Sequence, residues 1–185
     1  ADIDGDKKSY QEAAKALSTA RQVAFEEISK MRHEVAKAKA PKVIEHVDGM
    51  LENGIEKVIL FAHHKDVIAQ FVEHYSDAAV VLTGDTPQAK RQEAVDSFQD
   101  NPKTKVFIGS LTAAGVGLTL TASSHVVFAE LDWVPANITQ AEDRAHRIGQ
   151  TSSVLVQHLV LDGSLDADLA NTIVTKQEIA DAALD

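Results

Sequence analysis

Three polar side chains in the last third of the sequence have a spacing that suits contact with phosphate groups. Gln140, Arg144 and Arg147 follow one another at intervals of four and three residues, which places them on one face of a helix. Two guanidinium groups on one face can hold a polyphosphate through paired hydrogen bonds that lysine cannot form. The same spacing also fits an exposed helix face on which Asp143 pairs with Arg147, so the arginines alone do not establish a phosphate site.

A loop that combines hydroxyl groups with glycines is a second candidate for phosphate contact. It runs from Gly109 to Gly117 (GSLTAAGVG), and the hydroxyls of Ser110 and Thr112 can donate hydrogen bonds to phosphate oxygens. Gly117 and its neighbour Gly115 allow backbone N–H groups to approach a ligand closely, although a tight turn between a strand and a helix explains them equally well. No GxxxxGK(S/T) sequence occurs in the chain, so it provides no P-loop for a nucleoside triphosphate.

An alternation of short apolar strands and helices would position these residues. We predict strands at 57–63, 79–82, 105–108, 126–131 and 154–161, and helices at 65–75, 86–98, 135–148 and 165–183. Strands and helices that alternate through short connections are typical of an α/β protein with a parallel sheet and helices on both faces. Thr86 is expected to cap the helix whose first residue is Pro87.

The carboxyl ends of parallel strands meet at one edge of the sheet, and ligands bind there in open α/β folds. Polar or basic residues follow three of the predicted strands, at His63-His64-Lys65, at Thr83–Thr86 and at Asp132–Pro135. Adjacent histidines on a strand point to opposite faces, so we predict no metal site. Trp133, the single tryptophan, is either a packing anchor or a binding platform.

Composition limits the classes of protein to which the chain can belong. Its 185 residues suffice for one core of ordinary domain size, and the lack of cysteine excludes disulfides and thiol nucleophiles. The net charge of −10 argues against nucleic-acid binding, but Lys90 and Arg91 form a local basic site. We find no membrane-spanning apolar run and no signal peptide, so we expect an intracellular protein, and the missing initial Met suggests a piece of a longer one.

A long helix is predicted ahead of the alternating region. Apolar residues recur with a period of about 3.6 from residue 9 to residue 40, after a start at 1–8 that we expect to be disordered. Pro41 is predicted to begin a separate helix that ends near Glu52. The first helix has more surface than one small domain can cover, so we expect it to connect to a neighbouring domain or to brace it.

Several of these motifs together resemble the Snf2 family of superfamily 2 ATPases. The string QAEDRAHRIGQ (140–150) resembles motif VI, the preceding GSLTAAGVGLTL resembles motif V, and VILFAHHKDV (58–67) resembles motif IV. FAHHK, AELxWxP and QAEDR are similar to the HepA-related annealing-helicase branch of the family. Thr119 and Val134 stand where the commoner Snf2 form has Asn, and the first of these departures fits that branch. The similarity covers roughly residues 36–180.

The resemblance implies that the chain is the second RecA-like lobe of a two-lobe motor whose first lobe binds most of the ATP and Mg²⁺. Arg144 and Arg147 would act across the cleft as arginine fingers on the β- and γ-phosphates, and Gln140 would orient water or couple the lobes. Gly115 and Gly117 would lie near the nucleotide. By itself, the chain is expected to have no ATPase activity.

The resemblance also implies contacts with the DNA backbone at the other loops. The candidate contact residues are His63, His64, Lys65, Gly84, Thr86, Lys90, Arg91, Ser110, Leu111, Thr112 and Trp133. The expected partners are duplex or forked DNA and the first lobe of the same protein, and we expect the protein to be a monomer. The expected domains are a tail with a brace helix (1–40), the lobe (41–162) and a C-terminal helix packed on it (163–185).

Two other functions stay open at this point. One is a RecA-like module that binds DNA or a partner without catalysis, which suits the acidic composition. The other is a Rossmann-like enzyme for a small molecule, which is disfavoured because no GxGxxG sequence follows the first predicted strand. A bacterial cytoplasm or nucleoid, or the host cell of a phage, is the expected location rather than a nucleus.

Overall fold

A computed structural model describes the chain over residues 3–112, 120–131 and 153–182. These ranges contain α1 (Ile3–Glu52), β1 (Val58–Ala62), α2 (Lys65–Tyr75), a 3₁₀ turn (Ser76–Ala78), β2 (Ala79–Leu82), α3 (Gln88–Asp100), β3 (Val106–Ser110), β4 (His125–Phe128), β5 (Leu155–His158) and α4 (Leu165–Ala182). The helix predicted at 135–148 lies outside them. No helix within the described ranges is long and apolar enough to cross a membrane.

In the described part of the chain, five parallel strands form one sheet in the order β2-β3-β1-β4-β5. This arrangement confirms the predicted α/β class and the position of each predicted strand. The strands lie in a register that aligns their carboxyl ends, because Ala62 pairs with Ser110, the last residue of β3. Loops that follow different strands therefore leave the sheet at the same edge.

The central strand β1 is covered by helices on both faces. All five of its residues are buried, as expected for a strand without a solvent-facing side. Phe61 packs in an apolar layer with Phe98 of α3 and Ile173 of α4. Leu60 points the other way, into a layer with Phe71 of α2 and residues of α1 from Ala36 onwards. These two layers form the core that holds the strand ends in place.

Gly109 lets β1 and β3 pair beside a large aromatic side chain. It is the register partner of Phe61, and a Cβ at this position would lie 2.7 Å from Cε1 of that ring. The Phe61 ring also stacks on Phe128 of β4, with 5.4 Å between the ring centroids. A larger residue at 109 would therefore have to move a ring that is packed on both sides.

Helix α1 continues through Pro41, so the prediction that this proline begins a separate helix is wrong. Pro41 is exposed, whereas Ala40 and Val43 on either side of it are buried in the core. Burial of this face stabilises the helix enough to offset the N–H that the proline lacks. Residues 3–8, which we expected to be disordered, are also helical.

The described chain divides into two compact units, with the division between Glu34 and Val35. The first unit is helical, and its large apolar side chains Tyr10, Leu17 and Phe25 are more than half exposed. The second unit contains the sheet. The predicted domain ranges of 1–40, 41–162 and 163–185 stay predictions.

An ion pair inside the second unit joins α1 to α4. The side chains of Lys39 and Asp166 are only 5% and 6% exposed, and their charged groups are in direct contact. The Lys39 ammonium also donates a hydrogen bond to the carbonyl oxygen of Leu159, at 2.7 Å. This pair fixes the second half of α1 against the segment that follows β5.

Candidate functional site

The structure brings the loops that follow β1, β3 and β4 together at the carboxyl edge of the sheet. The backbone N–H of Leu111, directly after β3, donates to the carbonyl oxygen of Ala62 at 3.0 Å. The backbone N–H of Ala129, directly after β4, donates to the carbonyl oxygen of Phe61 at 2.9 Å. The loop that begins at His63 therefore lies between the other two.

A buried carboxylate holds the loop that follows β1. Glu130 is 3% exposed and accepts hydrogen bonds from the backbone N–H groups of His63 (2.8 Å) and His64 (2.9 Å). A third hydrogen bond joins it to Nδ1 of the His64 ring. Burial raises the pKa of the Glu130 carboxyl, but these bonds to His64 and His63 outweigh burial and leave its pKa lowered. Glu130 is thus a carboxylate at neutral pH, and the proton of this contact lies on Nδ1.

The two histidines differ in exposure. The His63 side chain is exposed, whereas the His64 side chain is 21% exposed. Their rings meet edge to face, with 4.9 Å between the centroids. Among the residues that the structure describes, no three His, Asp or Glu side chains are grouped as metal ligands would be.

Thr86 closes the turn that follows β2 instead of capping α3, so the predicted cap is wrong. Its Oγ1 accepts a hydrogen bond from the N–H of Thr83 at 2.9 Å, and its own N–H donates to the carbonyl oxygen of Thr83 at 3.1 Å. Helix α3 begins at Gln88 with Pro87 as N-cap residue. The Thr86 hydroxyl is used within the turn and is not directed at the helix N-terminus.

Arg91 supports the same turn from α3. Its Nε donates to the carbonyl oxygen of Thr86 at 2.9 Å, and its Nη2 donates to that of Gly84 at 3.3 Å. The guanidinium group thus fixes the position of exposed Gly84 next to the sheet edge. Lys90, by contrast, is exposed and pairs along its own helix face with Glu93, at 2.7 Å.

An exposed ion pair joins the loop that follows β1 to the turn that follows β2. The Lys65 ammonium lies 2.5 Å from a carboxylate oxygen of Asp85, and the side chains are 83% and 73% exposed. The hydrogen bond from Lys65 and its positive charge lower the pKa of the Asp85 carboxyl. Although β3 separates β1 from β2 in the sheet, the long lysine side chain spans the distance between their loops.

The loop that follows β3 presents a hydroxyl pair and buries its leucine. Oγ of Ser110 and Oγ1 of Thr112 lie 3.2 Å apart, with Ser110 buried and Thr112 exposed. The Leu111 side chain is 2% exposed and belongs to the core, and its N–H is bonded to Ala62. The predicted role of Leu111 in DNA contact stays a prediction.

The other predicted site residues lie outside the described ranges. These are Gly115, Gly117, Trp133, Gln140, Arg144 and Arg147. Their roles stay predictions.

Sequence analysis missed Glu130, the residue that organises the edge. We included it in a strand predicted at 126–131, whereas β4 ends at Phe128. The sequence did contain a signal, a single acidic residue within the apolar run VVFAEL. A carboxylate buried in such a run requires hydrogen-bond donors close by, so this residue could have been predicted to hold a neighbouring loop.

A groove of about 700 Å³ lies away from this edge. Its lining includes His125 and Leu155, the first residues of β4 and β5, together with His46 and Met50 of α1. It therefore lies at the amino ends of the strands, where open parallel sheets do not place their ligands.

Comparison with known proteins identifies the family. The model of the helicase conserved C-terminal domain matches residues 38–149. The DNA annealing helicase and endonuclease ZRANB3 of Homo sapiens is 39% identical over 183 residues, which cover 95% of this chain and 17% of that protein. The SWI/SNF-related matrix-associated actin-dependent regulator of chromatin subfamily A-like protein 1 of Xenopus laevis is 46% identical over 134 residues, covering 71% of this chain and 14% of that protein.

A solved structure shows the same fold. The crystal structure of the C-terminal part of the Fun30 ATPase domain aligns with a TM-score of 0.65 and 26% identity, over 72% of this chain and 44% of that chain. The chain spans less than a fifth of the length of the two curated relatives. On these matches, the chain belongs to the helicase conserved C-terminal domain family, in the Snf2 group that includes the HepA-related annealing helicases.

Proposed function

We propose that the chain is the second ATPase lobe of a DNA-dependent Snf2-type translocase or annealing helicase. In this proposal its carboxyl-edge loops hold the phosphate backbone of duplex or forked DNA, and a first RecA-like lobe of the same protein completes the ATP site. The observation that carries the proposal is the alignment of the donor-rich loops that follow β1, β2 and β3 along one edge of the sheet. Glu130 holds the first of these loops and Arg91 the second. The relatives named as annealing helicases support it.

The donors at this edge suit a phosphate chain because their present partners are easily replaced. Lys65 and Lys90 are exposed, and each pairs with an exposed carboxylate. Exposed pairs of this kind contribute little to stability, so phosphate oxygens can compete for the lysines. Thr112 adds an exposed hydroxyl. Contacts of this kind position a protein on DNA and read little sequence.

Arg91, Gly84 and Thr86 would act differently from the lysines. Because the Arg91 guanidinium is bonded to the turn, its role is to hold the backbone of Gly84 and Thr86 next to DNA. The turn would then approach a phosphate closely, since Gly84 has no side chain in the way.

The ATP side of the proposal depends on motif VI. ATP and Mg²⁺ would be held mainly by the first lobe, since this chain has no GxxxxGK(S/T) sequence. Arg144 and Arg147 would reach across the cleft to the β- and γ-phosphates, where positive charge stabilises the transition state. Gln140 would orient the attacking water or couple the lobes, and Gly115 and Gly117 would lie beside the nucleotide. The helix α1 would brace the two lobes.

The test of this function compares ATP hydrolysis by the chain alone with hydrolysis by a longer protein that includes a first lobe. We expect no turnover from the chain alone and DNA-stimulated turnover from the longer protein. Arg147→Ala in the longer protein should lower kcat by about a thousandfold, judging from arginine fingers elsewhere. Lys103→Ala, which removes an exposed charge from the loop before β3, is the control and should leave turnover unchanged.

Other outcomes would contradict the proposal in distinct ways. DNA binding without turnover by the longer protein would favour a non-catalytic module. Normal kcat in the Arg147→Ala protein would reject the arginine-finger assignment. Turnover by the chain alone would place the nucleotide site elsewhere. The monomeric state and a bacterial or phage-host location stay predictions.

A further inference from the structure

We infer that Glu130 is a positioning residue that sets the His63-His64-Lys65 loop at the angle needed for DNA contact. The inference rests on the proposed function, because it gives Glu130 a role in the DNA contact of that same edge. The Glu130 side chain is buried, so its effect on DNA contact is indirect. It acts through His63 and His64.

Three donors of one loop converge on this carboxylate. Two are consecutive backbone N–H groups and the third is the Nδ1–H of His64, so the backbone and one ring are fixed by a single group. Hydrogen bonds to an ionised carboxylate are stronger than those between neutral groups. A loop held in this way has little freedom in its backbone or in the rotamer of His64.

These three hydrogen bonds of Glu130 to His63 and His64, called the Glu130 clasp below, also lie at the beginning of α2. His64 is the N-cap residue of α2, yet its side chain makes no capping bond to the helix, because the ring is turned towards Glu130. The carboxylate thus lies at the helix N-terminus, where the helix dipole favours negative charge. Lys65 is the first residue of α2, so the clasp sets the point from which its exposed ammonium reaches the edge.

Glu130 also joins the segments that follow β1 and β4. The proposed function requires these two segments to keep a fixed position relative to each other. It follows β4, whereas the loop that it holds follows β1, the neighbouring strand. A carboxylate that served packing alone would be replaceable by an apolar side chain of similar size. Here such a replacement would leave two backbone N–H groups and the His64 Nδ1–H without their acceptor.

The chain offers a matched control in the ion pair between Lys39 and Asp166. Its carboxylate is buried to a similar extent and holds the ammonium group of Lys39 in α1. The double substitution Lys39→Met with Asp166→Leu removes both charges and keeps similar volume, which is often tolerated. It therefore controls for the general effect of removing a buried carboxylate.

The first measurement uses the chain alone and detects the clasp without DNA. Long-range ¹H–¹⁵N NMR spectra of the histidine rings should show His64 protonated on Nδ1, with the signal assigned by its loss in His64→Gln. Glu130→Gln should shift His64 towards the Nε2–H tautomer that free imidazole prefers, whereas the Lys39→Met, Asp166→Leu protein should not. An unchanged His64 ring in Glu130→Gln would overturn the inference.

The second measurement uses the longer protein with its first lobe. Glu130→Gln should raise the DNA concentration for half-maximal ATPase stimulation by about tenfold, the loss typical of one charge-assisted hydrogen bond, with the KM for ATP within twofold. Glu130→Asp keeps the charge and should restore part of the loss. The double control should stay within twofold of the parent in both quantities.

The outcomes separate this inference from the proposed function. If His64→Ala and Lys65→Ala weaken DNA stimulation but Glu130→Gln does not, the positioning role is overturned and the proposed function stands. If none of the three affects it, the proposed DNA contact fails as well. In the supporting outcome, Glu130→Gln has a smaller effect in a His64→Ala background than in the parent, as expected of residues that act as one unit.

Discussion

Glu130 and Asp166 are buried carboxylates of the same compact unit, and they differ in what they hold. Glu130 accepts three hydrogen bonds from one loop at the carboxyl edge of the sheet. Asp166 holds the ammonium group of Lys39 and thereby connects α4 to α1. The difference teaches that two equally buried carboxylates can stabilise different parts of a fold. Asp166 joins two helices, whereas Glu130 fixes the backbone of a loop at the edge of the sheet.

The largest effect on stability is expected when one partner of the Lys39–Asp166 ion pair is removed. Asp166→Asn should lower the free energy of unfolding by about 3–5 kcal/mol, because the buried Lys39 ammonium loses its counter-charge. Chemical denaturation of the chain measures this loss. The Lys39→Met, Asp166→Leu protein should recover most of the stability, and equal destabilisation of both variants would show that packing matters there more than charge.

A smaller effect on stability is expected when the aromatic packing between β1 and β4 is disturbed. The Glu130 clasp joins the segments that follow these two strands. Gly109→Ala should cost about 1–3 kcal/mol of stability, because its Cβ would overlap the Phe61 ring, which is itself stacked on Phe128. Thermal unfolding measures the cost, and Gly84→Ala, whose Cβ would meet open space, is the control. Equal Tm values for the two variants would contradict the expected overlap between a Cβ at residue 109 and the Phe61 ring.

The Glu130 clasp should also give the chain a pH-dependent stability of modest size. The pKa of Glu130 is lowered in the folded chain, so its contribution is fully present above the ordinary pKa of a glutamate. The contribution is lost as the pH falls through the lowered value. The stability difference between the parent and Glu130→Gln, measured by denaturation from pH 7 into the acid range, should therefore shrink as the pH falls. A difference that grew on acidification would have the wrong sign.

The smallest effect on stability is expected at the exposed lysine of the edge. Lys65→Ala should leave the free energy of unfolding nearly unchanged, because its pair with Asp85 is solvent-exposed. It should nonetheless weaken DNA binding and reduce the slope of log K against log salt by about one. Lys103→Ala removes an equal charge from the loop before β3 and should leave that slope unchanged.

Much of the fold follows from local sequence pattern. Apolar runs bounded by polar loops predicted all five strands of the described sheet, and α2 lies at the predicted residues 65–75. Predictions at Thr86 and Pro41 were wrong for a common reason. Each residue has a typical local role, as a cap or as a helix start, and in this chain the turn at Thr83 and the core around Ala40 outweigh that role.

The sequence predicted which polar residues follow the strands of the sheet. The sequence placed His63, Lys65 and Ser110 at strand ends, and the parallel register brings those ends together. It did not show which of the candidate side chains are held within the protein. Arg91 is bonded to the turn and Leu111 is buried, and their roles in DNA contact stay predictions.

The sequence by itself determined the class of fold, the family and the set of loops at the carboxyl edge of the sheet, because apolar periodicity and motif spacing are encoded along the chain. Only the tertiary structure decided which groups are paired across the edge. Glu130 lies 66 positions from His64 in the chain and is bonded to it in the fold. Such contacts depend on the pairing of β1 with β4, and no local pattern specifies the partner of a buried carboxylate.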